Sequence, residues 1–374
     1  MQLSALQSLS MAAAVVLHVG ATQASTAPTQ GRVGLKWMNY QESQQGLSRM
    51  GVQARSAFVT LPLNPQWVLD ASAVVDDISG ASPTYYTEPK SFAQVEDQRK
   101  AQDLRLSWYN DLQRWTLGSA QSAENDYHSR NVAVSFQQTT PDRNTTWDLA
   151  YARSHDHISP VNRIVDTQTK RTYELLAGAT WVLSPQDLLQ TSLTRSSSQG
   201  YLNDPYKFFD IRPRSRTVNA VSLRWNHHFD HKDIVQRLSA RWSKDSFAVR
   251  SVTLQGEWSH SLAHGWSLTP LLRYYSQSGA YFFSPPDPLH PERPQMVPGA
   301  QLGVTLMSFD QRLAAFGALT RGLKIDKKLN DQTTLDLRLD HYTQKNRWSL
   351  LGKPPAGLAD FKATFVQVGM THSF

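Results

Sequence analysis

Nine charged residues recur at alternate positions in otherwise apolar stretches: Asp103 and Arg105, Arg224, Arg237 and Arg241, Glu257, and Asp336, Arg338 and Asp340. On strands, such charges share one face. They can pair across strands, or, if that face lines a wet lumen, filter solutes by sign, with the arginine excess favouring anions. A second candidate is the run Asp76-Asp77-Ile78-Ser79-Gly80-Ala81-Ser82-Pro83. Its adjacent carboxylates can coordinate a hard divalent cation, although their spacing is not that of a calcium loop. The alternative is a tight Gly-Pro loop in which the aspartates accept backbone hydrogen bonds. Ser79 and Ser82 lack the G-x-S-x-G elbow of a serine nucleophile, and no histidine partner is placed beside them. His155-Asp156-His157 and His227-His228 with Asp230, His231 and Asp233 carry zinc- or copper-binding groups. Adjacent strand residues point to opposite faces, so solvated polar segments explain these clusters better. No metal or cofactor is assigned, and the absence of cysteine excludes thiolate metal sites, disulfides and a cysteine nucleophile.

Strands must position these residues. Leu104, Leu106 and Trp108 alternate with Asp103, Arg105 and Ser107, and Val132, Val134 and Phe136 alternate with Ala133, Ser135 and Gln137. Trp147/Leu149/Tyr151, Val221/Leu223/Trp225, Leu238/Ala240/Trp242 and Leu335/Leu337/Leu339 repeat the pattern. Period-two alternation marks half-buried β-structure. After the N-terminus no apolar run approaches the ~20 residues of a transmembrane helix. Charged residues are only 18% of the chain, against about 25% in soluble domains.

A soluble sandwich shows the same alternation, so other features must decide. Short polar turns at Asn64-Pro65, 110–114, 140–144, 184–187, 230–233, 263–265 and 326–331 alternate with mostly longer connections. This is the rhythm of an outer-membrane barrel. It predicts about sixteen strands starting near residues 32, 52, 66, 99, 114, 129, 146, 171, 187, 216, 234, 248, 266, 311, 332 and 363, with both termini periplasmic. The stretch 301–308 can belong to the strand after it. Trp67, Trp115, Trp147, Trp181 and Trp266 sit near the short turns, as an interfacial girdle requires. Phe374 closes an alternating final strand and resembles the signal read by barrel-assembly machinery, with His372 where an apolar residue is usual. The loop 279–299 holds six prolines and cannot be a ladder strand. It either lies on the surface or folds over the mouth.

The N-terminus reads as an export signal spanning residues 1–24, cleaved between 21 and 27. The apolar run Met11–Val19 precedes small residues, although the first ten positions carry no Lys or Arg.

From about Tyr40 onward the chain resembles a bacterial family catalogued as domain of unknown function 3570. The resemblance rests on Tyr40-Gln41-Glu42, the Asp76–Pro83 run, Glu124-Asn125-Asp126-Tyr127, Trp225-Asn226, Trp266 through Pro270 to Arg273-Tyr274-Tyr275-Ser276-Gln277, Asp310-Gln311-Arg312-Leu313 and Gly357-Leu358. It implies an outer-membrane β-barrel and little biochemistry. The genomic neighbourhood implied for the family contains flavin-attaching transferases, thioredoxin-like proteins and a small lipoprotein, an extracytoplasmic redox setting.

The expectation is a single all-β domain over 25–374: an antiparallel barrel of about sixteen strands in the outer membrane of a Gram-negative bacterium. Its leading function is a porin-like conduit for small polar solutes, with lumen charges setting selectivity and no covalent catalysis. The alternative is a non-conducting scaffold anchoring a periplasmic or lipoprotein partner, in a flavin-linked envelope redox system. A membrane lipid hydrolase needs a matched Ser–His pair that the sequence does not offer. The expected partners are outer-membrane lipid and the assembly machinery; nucleic acid is not expected. The net charge of +7 suits an acidic surface outside the cell.

Overall fold

The computed structural model describes residues 26–44, 46–81, 94–207, 210–287, 289–290, 295–301 and 303–374. The expected signal segment, Ser82 and Pro83 lie outside them.

The described chain forms sixteen strands: β1 (Arg32–Gln44), β2 (Leu47–Pro62), β3 (Trp67–Ala81), β4 (Gln94–Asn110), β5 (Gln113–Ala123), β6 (Tyr127–Thr139), β7 (Thr145–Ile158), β8 (Gln168–Val182), β9 (Asp187–Gly200), β10 (Ser215–Phe229), β11 (Ile234–Asp245), β12 (Arg250–Ser261), β13 (Trp266–Gln277), β14 (Phe316–Lys328), β15 (Thr333–Lys345) and β16 (Phe361–Ser373). Each pairs antiparallel with its sequence neighbours, and β1 pairs with β16 from Arg32↔Ser373 to Gln44↔Phe361. The sheet therefore has no open edge. Phe374 and Gly31 extend the seam with reciprocal backbone bonds of 2.9 Å.

The strand starts expected at residues 52, 99 and 311 miss β2, β4 and β14 by five residues. At β2 and β4 the strand continues through polar sequence at the barrel rim, where alternation is lost. At β14, Gln311–Leu313 forms a 3₁₀ turn capped by the Asp310 side chain, which accepts from Arg312 N at 3.0 Å, so the strand begins later. The described residues of the ambiguous 301–308 stretch are not part of a named strand. It contributes only isolated bridges, Ile211↔Met307 and Phe283↔Ser308.

The short connections fall at one end of the barrel. There Trp67 opposes Trp108, which opposes Trp115, and Trp147 meets Trp181 edge-on at 6.4 Å. Above this aromatic ring the apolar faces are aligned across strands. Leu117 lies between Leu106 and Val134, and Val134 opposes Tyr151. Leu117 is 64% exposed, an arrangement that suits lipid rather than water. The opposite faces carry the inward set, including the packed residues Ala133, Ala150, Ala152 and Leu176. Further toward the long-loop end the outward face turns basic: Arg130 opposes His155, which opposes Arg171.

This orientation predicts a strong asymmetry between faces. Leu117→Arg should destabilise the refolded barrel by about 2–4 kcal/mol, while Arg130→Ala should be nearly neutral. Urea denaturation in liposomes measures both.

Candidate functional site

The longest connection, residues 278–315 between β13 and β14, sends its described flanks into the mouth at the long-loop end. Gln277, the last residue of β13, starts it. Its Nε2 donates to the carbonyls of Arg312 and Ala314, both at 2.8 Å. Phe247 and Val249 from the β11–β12 turn then pack on Ala280, Phe282 and Leu313, with Phe247 and Phe282 edge-on at 4.9 Å. Met307, Phe309 and Ala314 form a second pad with Leu358 of the 346–360 loop. Gly317, at the root, admits no side chain, because a Cβ there would collide with the Trp348 carbonyl. Leu289 and Val304 are 85% and 70% exposed. Both expectations for the proline-rich loop thus hold in part: its flanks line the mouth and its described tip lies outside.

The segment 310–313 crosses the opening. Gln44 Nε2, at the outer end of β1, donates to Gln311 Oε1 at 3.2 Å. Arg312 Nη2 donates to Asp204 Oδ2 at 2.8 Å, and Asp204 belongs to the β9–β10 loop. In a sixteen-strand ring β1 and β9 are half a turn apart, so adjacent residues hold opposite walls.

The crossing is held by charges. Arg212 donates to Asp210 at 2.9 Å and to Asp310 at 2.8 Å, and Arg312 Nε donates to Asp310 Oδ2 at 2.7 Å. Ser308 donates to Asp210. Asp310 is fully buried. Burial opposes its charge, but Arg312, Lys207 and Arg212 outweigh burial and hold the carboxyl well below the ordinary aspartate range. Its neighbour Asp210 is pushed the other way, up, by burial.

Below the crossing lies a polar chamber of about 200 Å³ lined by Tyr127, Asn131, Asp156, Lys170, Glu174 and Arg216, among others. That is smaller than a drug-sized pocket and suits a small solute. Its bases are paired: Lys170 with Asp156 at 3.0 Å and Arg216 with Asp245 at 2.6 Å.

Deeper in the lumen the nine sequence candidates divide. Arg105–Asp103 (3.1 Å) and Arg338–Asp340 (2.8 Å) pair along a strand, and Arg237–Glu257 pairs across strands at 4.0 Å. Asp336 accepts from Gln367 at 3.4 Å. Arg224 and Arg241 are exposed, and no carboxylate among the described residues pairs with them. Arg273, which the sequence analysis did not select, is likewise exposed and unpaired. These three lie on β10–β13. On β3, β7 and β8 carboxylates are instead held by neutral donors: Thr60 to Asp70 at 2.6 Å, Gln137 to Asp148 at 2.8 Å and Ser196 to Glu174 at 3.2 Å. The β10–β13 wall thus carries the guanidiniums that no described carboxylate pairs, while both signs occur elsewhere in the lumen, as at Arg105–Asp103 and Lys170–Asp156.

Of the other sequence candidates, His228, Asp230 and Asp233 are brought together. The Asp76–Ala81 run is strand, not a tight loop. Asp76 faces inward, accepting from Arg99 Nε at 2.6 Å, while Asp77 accepts from Gln98 at 2.9 Å. Strand geometry thus separates the two carboxylates and removes the cation reading. Ser79 faces Gly51 across the strands, and Gly80 has φ 114° where a Cβ would strike the Arg49 carbonyl. His155 and His157 stack edge-on at 4.7 Å while Asp156 turns inward. His227 meets Asp187 at 2.8 Å, and His228 lies near Asp230 and Asp233 at the short-turn end.

Sequence reasoning missed Asp204, Asp210 and Arg212 as partners of Asp310 and Arg312. The Asp310–Leu313 motif was visible, but its partners lie about a hundred positions away, across a loop with no period to read. Arg312→Met should leave Asp310 buried beside fewer compensating charges, a loss of about 3–5 kcal/mol, and release the crossing. Limited proteolysis should then cut within 278–315 far faster than in the wild type, with the barrel band intact.

No curated protein matches the sequence. Among solved structures, a bacterial polysaccharide outer membrane secretin gives a TM-score of 0.53 at 10% identity, covering 92% of this chain and 98% of that one. CdiB from Acinetobacter baumannii gives 0.53 at 9% identity, with 91% of this chain covered and 60% of CdiB. OccK5 (OpdH) from Pseudomonas aeruginosa gives 0.47 at 10% identity, covering 92% and 98%. The first two likenesses establish an outer-membrane-type barrel as the fold. The family described as protein of unknown function (DUF3570) matches residues 87–365, which begin after Tyr40–Glu42 and Asp76–Pro83 and take in the crossing, the chamber and the β10–β13 wall. The chain belongs to that family.

Proposed function

We propose that this protein is a narrow conduit for small polar solutes in a Gram-negative outer membrane, reached through a signal at residues 1–24. The observation that carries the reading is the exposed, unpaired set Arg224, Arg241 and Arg273 inside a sixteen-strand ring. In a packed lumen these guanidiniums would need carboxylate partners; in water they need none. Barrels of 16–18 strands are wide enough for an aqueous channel. Here the crossing segment narrows the entrance, and the chamber beneath admits only small solutes. Fixed charges along the lumen orient a polar solute, and the unpaired arginines favour anions.

The outward basic belt supports the membrane placement. Arg130, Arg153 and Arg171 lie just beyond the apolar band, where phosphate-bearing headgroups meet the barrel. Phe374, 57% exposed at the seam, is available to the assembly machinery before closure.

Reversal potentials in a salt gradient test the filter. The wild type should prefer anions, and Arg224→Ala with Arg241→Ala should shift the potential toward zero without loss of folding. Unchanged selectivity removes these residues from the filter. A folded protein that never conducts turns the interpretation to the partner-anchoring scaffold.

A further inference from the structure

We propose that Asp97, Glu124 and Asp126 form a calcium site at the outer rim, a role separate from conduction. Asp97 lies near the outer end of β4, and the other two occupy the three-residue β5–β6 turn. One carboxylate oxygen from each lies within 4.8 Å of the others. Calcium binds oxygen at about 2.3–2.6 Å, so its ligand oxygens can stand up to about 5 Å apart; magnesium, at about 2.0–2.1 Å, draws them to about 4 Å. Separations of no more than 4.8 Å lie within calcium's reach without rearrangement.

A second observation points to a ligand. Glu124 is 6% and Asp126 3% exposed, yet Glu124 Oε2 and Asp126 Oδ1 have no hydrogen-bond partner. Leaving a buried carboxylate oxygen unsatisfied is costly, more so beside two other carboxylates. The remaining contacts are consistent with this assignment. Asn125 N donates to Asp97 Oδ1 at 3.3 Å, and Tyr206 donates its hydroxyl to the other Asp126 oxygen, Oδ2. Arg99, the nearby base, donates to Asp76 at 2.6 Å. Glu124 Oε2 and Asp126 Oδ1 are thus left for a cation to take.

The site also has something to organise. Tyr206 belongs to the β9–β10 loop, and its hydroxyl accepts from Val161 N of the β7–β8 loop at 3.0 Å. A calcium ion on Asp126 would fix the end of a chain of contacts joining three outer connections, one of which carries Asp204, the anchor of the crossing.

Calcium uptake by the full-length folded protein in detergent tests the proposal, with calcium itself as the probe in titration calorimetry. About one ion per chain is expected, with the dissociation constant of extracellular modules, about 10⁻⁴–10⁻³ M. Glu124→Gln and Asp126→Asn should each weaken uptake at least tenfold, by about a ligand's worth of charge. In chelator, both variants should melt at or above the wild type, because each removes a like charge; in calcium only the wild type should gain. A purely structural cluster would show the opposite order in chelator and no gain in calcium. No uptake by the folded wild type, or equal uptake by the variants, overturns the site.

Discussion

Closure is the constraint on which the rest depends. In lipid an unpaired backbone N–H or C=O has no water to turn to, so a sheet can cross only if every edge is paired. The thirteen-rung seam between β1 and β16 meets that requirement. Once the ring is closed, alternation assigns every side chain to lipid or lumen. Leu117 and Leu149 then have one place to go, and Arg224 and Arg241 the other. The charged lumen is thus a consequence of satisfying the backbone, and the functional surface is what the wet face carries.

The wet face is worked differently at two levels. At the mouth, charge is consumed by structure: Arg212 and Arg312 neutralise Asp210, Asp204 and Asp310 and hold a segment across the opening. In the body, Arg224, Arg241 and Arg273 have no carboxylate partner among the described residues, while Asp70, Asp148 and Glu174 are held by hydroxyls and an amide. Paired charges fix a shape, whereas unpaired charges in water leave a field that a passing solute can feel. The several segments that carried the family resemblance concentrate at the mouth. Glu42, Glu124–Tyr127, Gln277, Asp310–Leu313 and Leu358 all stand at its rim or in its packing, while Trp225 and Trp266 lie toward the opposite end.

Much of the barrel was legible because its determinants are local. Leu104-Arg105-Leu106 states its two faces within three residues, and Asn64-Pro65 marks its turn on its own. The boundaries that slipped, at β2, β4 and β14, lie at the rim, where lipid no longer demands alternation. The site was legible only in part. Arg224 and Arg241 followed from the period, but Arg273 did not, because Leu271 shares its inward face and blurs the pattern. The paired aspartates of the 76–77 run looked like a site only while their strand was unseen. The partners of the crossing could not be read, since Gln44 and Gln311 are 267 positions apart and joined only by closure.

The proposed conduit is a lumen that conducts but is narrowed by the 310–313 crossing. Single-channel recording of the folded wild type beside Arg312→Met tests it directly. The account predicts small, stable steps from the wild type and larger ones from the variant. Silence from both folded proteins, or steps of equal size, would contradict it.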